Sequence, residues 1–210
     1  MKQPIENFFS ILSLSIVLSI SGATSVLAAD IAEIINSCAD CHGKDGASTS
    51  QDAPIIGGFS APYITDSMIA YKAKERPCPE AEYLSGDKKG KKTTMCDIAK
   101  ELNEDEIKKI AADFAAKPFV RATNQTFDPA LAEKGKAIHE DLCVKCHDKG
   151  GSLASDDSGI LAGQWMSYIR QSLKEYSDGD RPMTKKMKKK YGKLKEGDTE
   201  ALVHYFGSFK

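Results

Sequence analysis

The chain has 210 residues, enough for one large domain or two small ones at roughly 100–150 residues each. Hydrophobic residues make up 41% and charged residues 28%, a globular balance that excludes wholesale disorder, collagen-like repeats and a polytopic membrane protein. With 29 Lys and Arg against 30 Asp and Glu the formal charge is −1, so the basic footprint of a nucleic-acid binder is missing and no nucleic-acid partner is expected.

Residues 1–29 open with Lys2, continue through an apolar stretch from Phe8 to Ile20 and end in small residues. Val26-Leu27-Ala28 offers a cleavage site after Ala28 or Ala29, so this segment is read as a secretory signal. The stretch is serine-interrupted and shorter than the roughly 20 residues a membrane span needs. No span is therefore expected after processing, and the mature chain is placed in an oxidising compartment, in a bacterium the periplasm.

Two strings of one form organise the rest. Cys38-Ala39-Asp40-Cys41-His42 recurs as Cys143-Val144-Lys145-Cys146-His147, an offset of 105 residues. The offset holds without a gap through Ile55/Ile160, Gly58/Gly163, Tyr63/Tyr168, Tyr71/Tyr176, Arg76/Arg181 and Pro77/Pro182. From Met95/Met187 onward it becomes 92 and continues through Ile110/Leu202 and Phe114/Phe206, so the first copy carries 13 extra residues between Pro77 and Met95. The expected division is one unit at 30–118, a polar linker at 119–127 and a second copy at 128–210.

The readable elements are helices. Asp30 is placed to cap a short helix running into Cys38, and Asp128-Pro129 forms an N-cap and first-turn pair for a longer helix running into Cys143. Amphipathic helices follow at about 61–74 and about 165–177. A capping box at Asn103 and Glu106 opens another that buries Ile107, Ile110, Ala111 and Phe114, with a counterpart at about 198–207. No strand pattern is read, so the expected fold class is all-α, in two tandem copies.

Two thiols three positions apart on a helical turn can add across the two vinyl groups of one haem, and the adjacent imidazole then reaches the iron; this is c-type haem attachment. A zinc site would need four ligands per metal, and pairs 105 residues apart lack zinc-ribbon spacing. A thioredoxin-like pair would need a βαβ context, which is missing. Two covalently bound haem c groups are expected, one on Cys38, Cys41 and His42, the other on Cys143, Cys146 and His147.

The sixth iron ligand is sought among residues that recur in both copies. Met68 aligns with Leu173 and reads as core, and Met183 aligns with Cys78. Met95 and Met187 align with each other, each read in a loop before the final helix, and are assigned as axial ligands, with Met183 as the alternative to Met187. His139 and His204 occur in one copy each and are read as surface or capping residues. Thioether ligation raises the reduction potential and fills the coordination sphere, favouring electron transfer over substrate chemistry at iron.

Pro54 is read as the carbonyl that orients the His42 imidazole, and Gly159 stands at the aligned position of the second copy. Arg76 and Arg181 are candidate haem-propionate partners, with ordinary surface arginines as the alternative. Cys78 and Cys96 border the insertion and read as a disulfide, the alternative being two free thiols. Lys185, Lys186, Lys188, Lys189 and Lys190 surround Met187 and either steer an acidic redox partner or form a solvated face.

The duplicated arrangement resembles the two-domain dihaem cytochromes c. In the second half Phe127-Asp128-Pro129-Ala130-Leu131, the Cys143–His147 string, Ile160-Leu161-Ala162-Gly163-Gln164-Trp165, Arg181-Pro182-Met183 and Lys185-Lys186-Met187 resemble the cytochrome subunit of flavocytochrome c sulfide dehydrogenase. The resemblance implies two tandem cytochrome c domains in a periplasmic heterodimer, where a flavoprotein subunit oxidises sulfide and passes electrons to the haems, with small redox proteins as acceptors. The insertion between Cys78 and Cys96 departs from that pattern. No Gly-x-Gly-x-x-Gly string is present, so no flavin is expected to be bound by this chain alone. The expected role is the electron-accepting subunit of such an enzyme. The alternatives are a free soluble dihaem carrier between respiratory complexes and a terminal oxidase, and a dihaem peroxidase, disfavoured because both copies keep a methionine.

Overall fold

A computed structural model of the chain describes residues 31–210; the segment 1–29 read as an export signal and the cap expected at Asp30 lie outside the described residues. The helices are α1 (Ile31–His42), α2 (Ala61–Lys72), α3 (Met95–Glu101), α4 (Glu104–Ala115), α5 (Pro129–Ile138), a single turn α6 (Asp148–Gly151), α7 (Met166–Asp178), α8 (Lys185–Tyr191) and α9 (Asp198–Gly207). Side chains set their starts. Ser60 Oγ accepts from Tyr63 N–H at 3.2 Å ahead of α2. The box before α4 is reciprocal, Glu106 N–H to Asn103 Oδ1 at 2.9 Å and Asn103 N–H to Glu106 Oε2 at 2.8 Å. Asp128 Oδ1 accepts from Ala130 and Leu131 N–H at 2.7 and 3.1 Å, with Pro129 in the first turn of α5.

Each copy has its own core. Ile64 and Met68 of α2 meet Ile107, Ile110 and Phe114 of α4 in the first, and Met166 and Ile169 of α7 meet Leu202, Val203 and Phe206 of α9 in the second. The repeat extends to the backbone. Gly58 N–H donates to Phe114 O and Gly163 N–H to Phe206 O, both at 2.8 Å. Both glycines sit at positive φ, +78° and +81°, where a side chain would be strained. Gly135 serves a different purpose: a methyl there would strike the Ala201 carbonyl, so the missing side chain lets α5 lie directly on α9.

Elements in both copies depart from the sequence reading. Met95 and Met187 lie in short helices rather than loops, because Thr94 and Thr184 cap them through Asp97 N–H at 3.1 Å and Met187 N–H at 3.2 Å. The insertion contains an antiparallel pair, β1 (Ala81–Glu82) and β2 (Lys92–Thr93), too short to show a period-two pattern. Helix α5 continues into a π-helical turn, His139–Cys143, before the second string.

The two copies pack on each other through hydrogen bonds from side chains of the second copy to loop backbone of the first. Gln164 is 0% exposed; its Nε2 donates to Ile55 O at 2.8 Å and its Oε1 accepts from Ile55 N–H at 3.0 Å. Trp165 Nε1 donates to Ser48 O at 3.1 Å and Ser167 Oγ to Gln51 O at 2.7 Å. The segment read as a polar linker joins this interface, with Ala122 buried and its N–H bonded to Gly163 O at 2.7 Å. Among the described residues no helix is long and apolar enough to cross a membrane.

Candidate haem sites

Helix α1 ends in the first string, and Cys38 and Cys41 on its last turns leave His42 as the terminal, buried residue. His42 Nδ1 lies 2.9 Å from Pro54 O, an atom that can only accept. The proton is therefore on Nδ1, and Nε2 carries a bare lone pair. The loop that delivers Pro54 is held back on the string by Ile56 N–H to Gly46 O at 2.9 Å, and Leu161 N–H to Gly151 O at 2.7 Å repeats the bond in the second copy.

In the second copy the proline is absent and a hydroxyl takes its place. Ser158 Oγ donates to Cys146 O at 3.0 Å, so its lone pair faces His147 Nδ1 at 3.2 Å. That again puts the proton on Nδ1 and leaves Nε2 free. Burial, assisted at His147 by the neighbouring His139, holds both imidazoles below their ordinary range and keeps them neutral, the form that ligates a metal.

The thiols have the opposite character from a redox-active pair. Burial pushes Cys38 and Cys143 up to about 11 and raises Cys41, whereas thioredoxin-type chemistry needs a lowered thiol. Among the described residues no three His, Cys, Asp or Glu side chains converge as a site for a bare metal ion.

Met95 packs at the edge of the first core. Met187 on α8 and Met183 just before it are both half-buried, and Met68 is buried in the core as expected. His204 keeps a capping role, its Nδ1 accepting from Asp128 N–H at 2.8 Å. His139 does not match its surface reading. It is 1% exposed, its Nε2 lies 2.7 Å from the His147 carbonyl and its ring packs on Tyr205 and Phe206. Its aligned position in the first copy is Ile34, and that apolar counterpart is the signal that marks position 139 as interior.

Arg76 and Arg181, separated by 105 residues, meet at the contact between the copies. Arg76 is 6% exposed, lies over the Tyr71 ring at 4.6 Å and donates to Tyr168 Oη at 2.8 Å. Arg181 lies over Tyr176 at 4.6 Å and reaches Tyr63 Oη at 3.5 Å. Each copy thus sends its arginine to the other copy's tyrosine. Among the described residues neither guanidinium has a carboxylate within salt-bridge distance, and Arg76 Nε is buried without a partner. Burial alone would raise the Tyr168 phenol, but the two guanidinium charges and its hydrogen bonds outweigh it and draw the group down to about 7. Buried positive charge of this kind calls for an anionic partner, and a haem propionate is a group that would supply one. The arginines, the two bare Nε2 atoms and the paired thiols all fit a covalently held haem in each copy.

Cys78 and Cys96 stand in a disulfide, Cα atoms 5.7 Å apart, that closes the insertion beside Met95.

Comparison with known proteins agrees with this architecture. The cytochrome c family profile matches residues 132–210. Cytochrome c4 of Stutzerimonas stutzeri is 29% identical over 182 residues, covering 80% of this chain and 82% of that protein. Cytochrome c-554(548) of Halomonas halodenitrificans is 30% identical over 82 residues, 39% of this chain and 86% of that protein. The cytochrome c4 structure from Acidithiobacillus ferrooxidans superposes with a TM-score of 0.64 at 26% identity, covering 83% of this chain and 99% of that one. These relatives are not the sulfide dehydrogenase subunit that the second half resembles. The chain, two tandem cytochrome c domains with an attachment string in each, belongs to the cytochrome c family as a cytochrome c4-like member.

Proposed function

We propose that the protein is a dihaem electron carrier that works as a free chain, holding one haem on Cys38, Cys41 and His42 and the other on Cys143, Cys146 and His147. The observation that carries the reading is the paired imidazole geometry: each proximal histidine has its Nδ1 proton engaged and its Nε2 lone pair free. When bound, haem supplies a one-electron Fe(III)/Fe(II) couple. The chain's own residues orient the imidazoles, present Met95 and Met187 from threonine-capped helices, and place Arg76 and Arg181 for propionates at the contact between the copies. An exported, periplasmic chain with a cleaved signal at 1–29 fits the disulfide.

The likeness to cytochromes c4 along most of the chain favours this carrier over the sulfide dehydrogenase subunit. Purification from periplasm separates the two: the carrier isolates alone and exchanges electrons with small redox proteins without flavin, whereas the subunit brings a flavoprotein with it. Met95→Ala and Met187→Ala should each convert one low-spin centre to high spin; a spectrum insensitive to both overturns the ligand assignment. Hydrogen peroxide turnover by the intact protein would instead point to a peroxidase.

A further inference from the structure

In the second copy the chain runs directly from Arg181, at the contact between the copies, to Met187, six positions on. In the first copy the corresponding step, from Arg76 to Met95, takes nineteen positions, and the whole difference is the insertion. The two ends of the step are alike all the same. Each guanidinium lies 4.6 Å over a tyrosine of the helix it follows, Tyr71 or Tyr176. Each methionine lies in a seven-residue helix opened by a threonine cap. The disulfide accounts for the likeness. Cys78 stands two positions after Arg76 and Cys96 one after Met95, so the path from arginine to methionine through the bridge crosses only three peptide bonds. The bridged residues are 18 apart in sequence, yet their Cα atoms are 5.7 Å apart. Their aligned residues in the second copy, Met183 and Lys188, are five positions apart and need no bridge. The hairpin thus leaves the domain and returns close to where it left.

The far ends of the two short helices are held by side chains. Lys72 on α2 donates to Leu102 O and, at 3.4 Å, to Lys100 O at the end of α3. Tyr191 Oη at the end of α8 donates to Leu173 O on α7 at 2.7 Å. The near ends differ. At Met187 it is a short run of chain; at Met95 two things compete, the bridge and the hairpin's own contacts. Leu84 and Ser85 N–H donate to Asp40 O at 2.8 and 3.1 Å, which fixes the hairpin to the first string. Those bonds act ten or more positions before Met95, whereas the bridge acts one position from it.

We propose that Cys78 and Cys96 are positioning residues for the first haem's axial ligand: their bridge replaces the short chain segment that holds Met187, and keeps Met95 at the ligand position despite the insertion. The proposal rests on the assignment of Met95 as that ligand. Cutting the bridge lengthens the tether to nineteen positions of chain, and loop entropy then favours the released side chain. Closing a loop of this length restricts a fully unfolded chain by roughly a hundredfold, and release of one ligand recovers a part of that.

The test is displacement of methionine by imidazole on the oxidised holoprotein, followed at the two ligand methionine methyl signals by NMR, which Met95→Ala and Met187→Ala assign. In C78S/C96S the imidazole concentration that half-displaces Met95 should fall at least about tenfold, and that for Met187 should stay within about twofold. The same result is expected without any substitution when a phosphine cuts the bridge in the folded protein, iodoacetamide caps the thiols and ferricyanide returns the haems to the ferric state. Deleting residues 79–91 from C78S/C96S brings Met95 back to six positions from Arg76 and should restore its resistance with no bridge present. Unchanged displacement of Met95 in the cut protein overturns the proposal and leaves the hairpin contacts with Asp40 as the hold. Equal loss at Met95 and Met187 also overturns it, because the bridge would then steady the whole chain rather than one helix. A Met95→Ala protein that keeps both methyl signals overturns the ligand assignment itself, and the proposal with it.

Discussion

Replacing Ser158 by alanine removes the acceptor that faces His147 Nδ1 and leaves the first copy untouched, because His42 donates to Pro54 O instead. An imidazole that donates its outer proton is a more basic ligand and favours ferric iron, so loss of the acceptor should raise the second centre's midpoint potential. A neutral hydrogen bond contributes about 0.5–1.5 kcal/mol, and about 1.4 kcal/mol corresponds to about 59 mV for one electron, which sets the rise at about 20–60 mV. The 3.2 Å separation and the half-buried position of Ser158, where water can take over part of the role, place the shift in the lower part of that range. Spectroelectrochemical titration of the holoprotein measures both potentials. Ser152→Ala is the control, since Ser152 Oγ bonds only to Lys149 O, at 2.9 Å, and should move neither. A second potential that stays fixed or falls in Ser158→Ala, or a first potential that moves with it, refutes the reasoning.

Gln164→Leu strips the partners from Ile55 N–H and C=O in a buried contact, and two unpaired groups at about 1–3 kcal/mol each should cost about 2–6 kcal/mol in denaturant unfolding; a loss below about 1 kcal/mol contradicts the interface. Gly135→Ala gains about 1 kcal/mol in helix propensity but drives a methyl into the Ala201 carbonyl, so a net loss of about 1–3 kcal/mol is expected and any stabilisation excludes the close α5–α9 contact. Burial depresses His42 and His147 in the folded state, so below the ordinary imidazole value of 6.5 the unfolded chain binds more protons than the native one. In the haem-free chain, stability from these groups is complete above that pH and is lost as pH falls toward the lowered folded values; a haem-free chain whose unfolding midpoint stays flat from neutral to acidic pH contradicts the burial of the imidazoles.

The helices that the sequence announces are those with local chemistry: Asp128-Pro129, the Asn103/Glu106 box and the apolar spacing of Ile107, Ile110 and Phe114 all act within one or two turns. Pro54 was legible as the His42 partner because the loop returns twelve residues later to the same string. Ser158 was not, since the alignment pointed to Gly159 and a serine hydroxyl carries no positional signature. Helices α3 and α8 are seven residues each, below the length at which periodicity separates helix from loop, and only their threonine caps betray them. Burial of Arg76 and the crossing of Arg76 and Arg181 onto Tyr168 and Tyr63 depend on how two copies pack, which no window of one chain encodes. The 105-residue offset did name all four residues of that cluster, so the repeat carried the membership and the packing supplied the pairing.

The most direct test of the central claim is the intact mass and haem count of the protein purified from periplasm. The account predicts a mass increased by two haem groups over the processed chain, falling to one in either Cys38→Ala/Cys41→Ala or Cys143→Ala/Cys146→Ala. A chain that carries no covalent haem, or that keeps two haems after either double substitution, would contradict it.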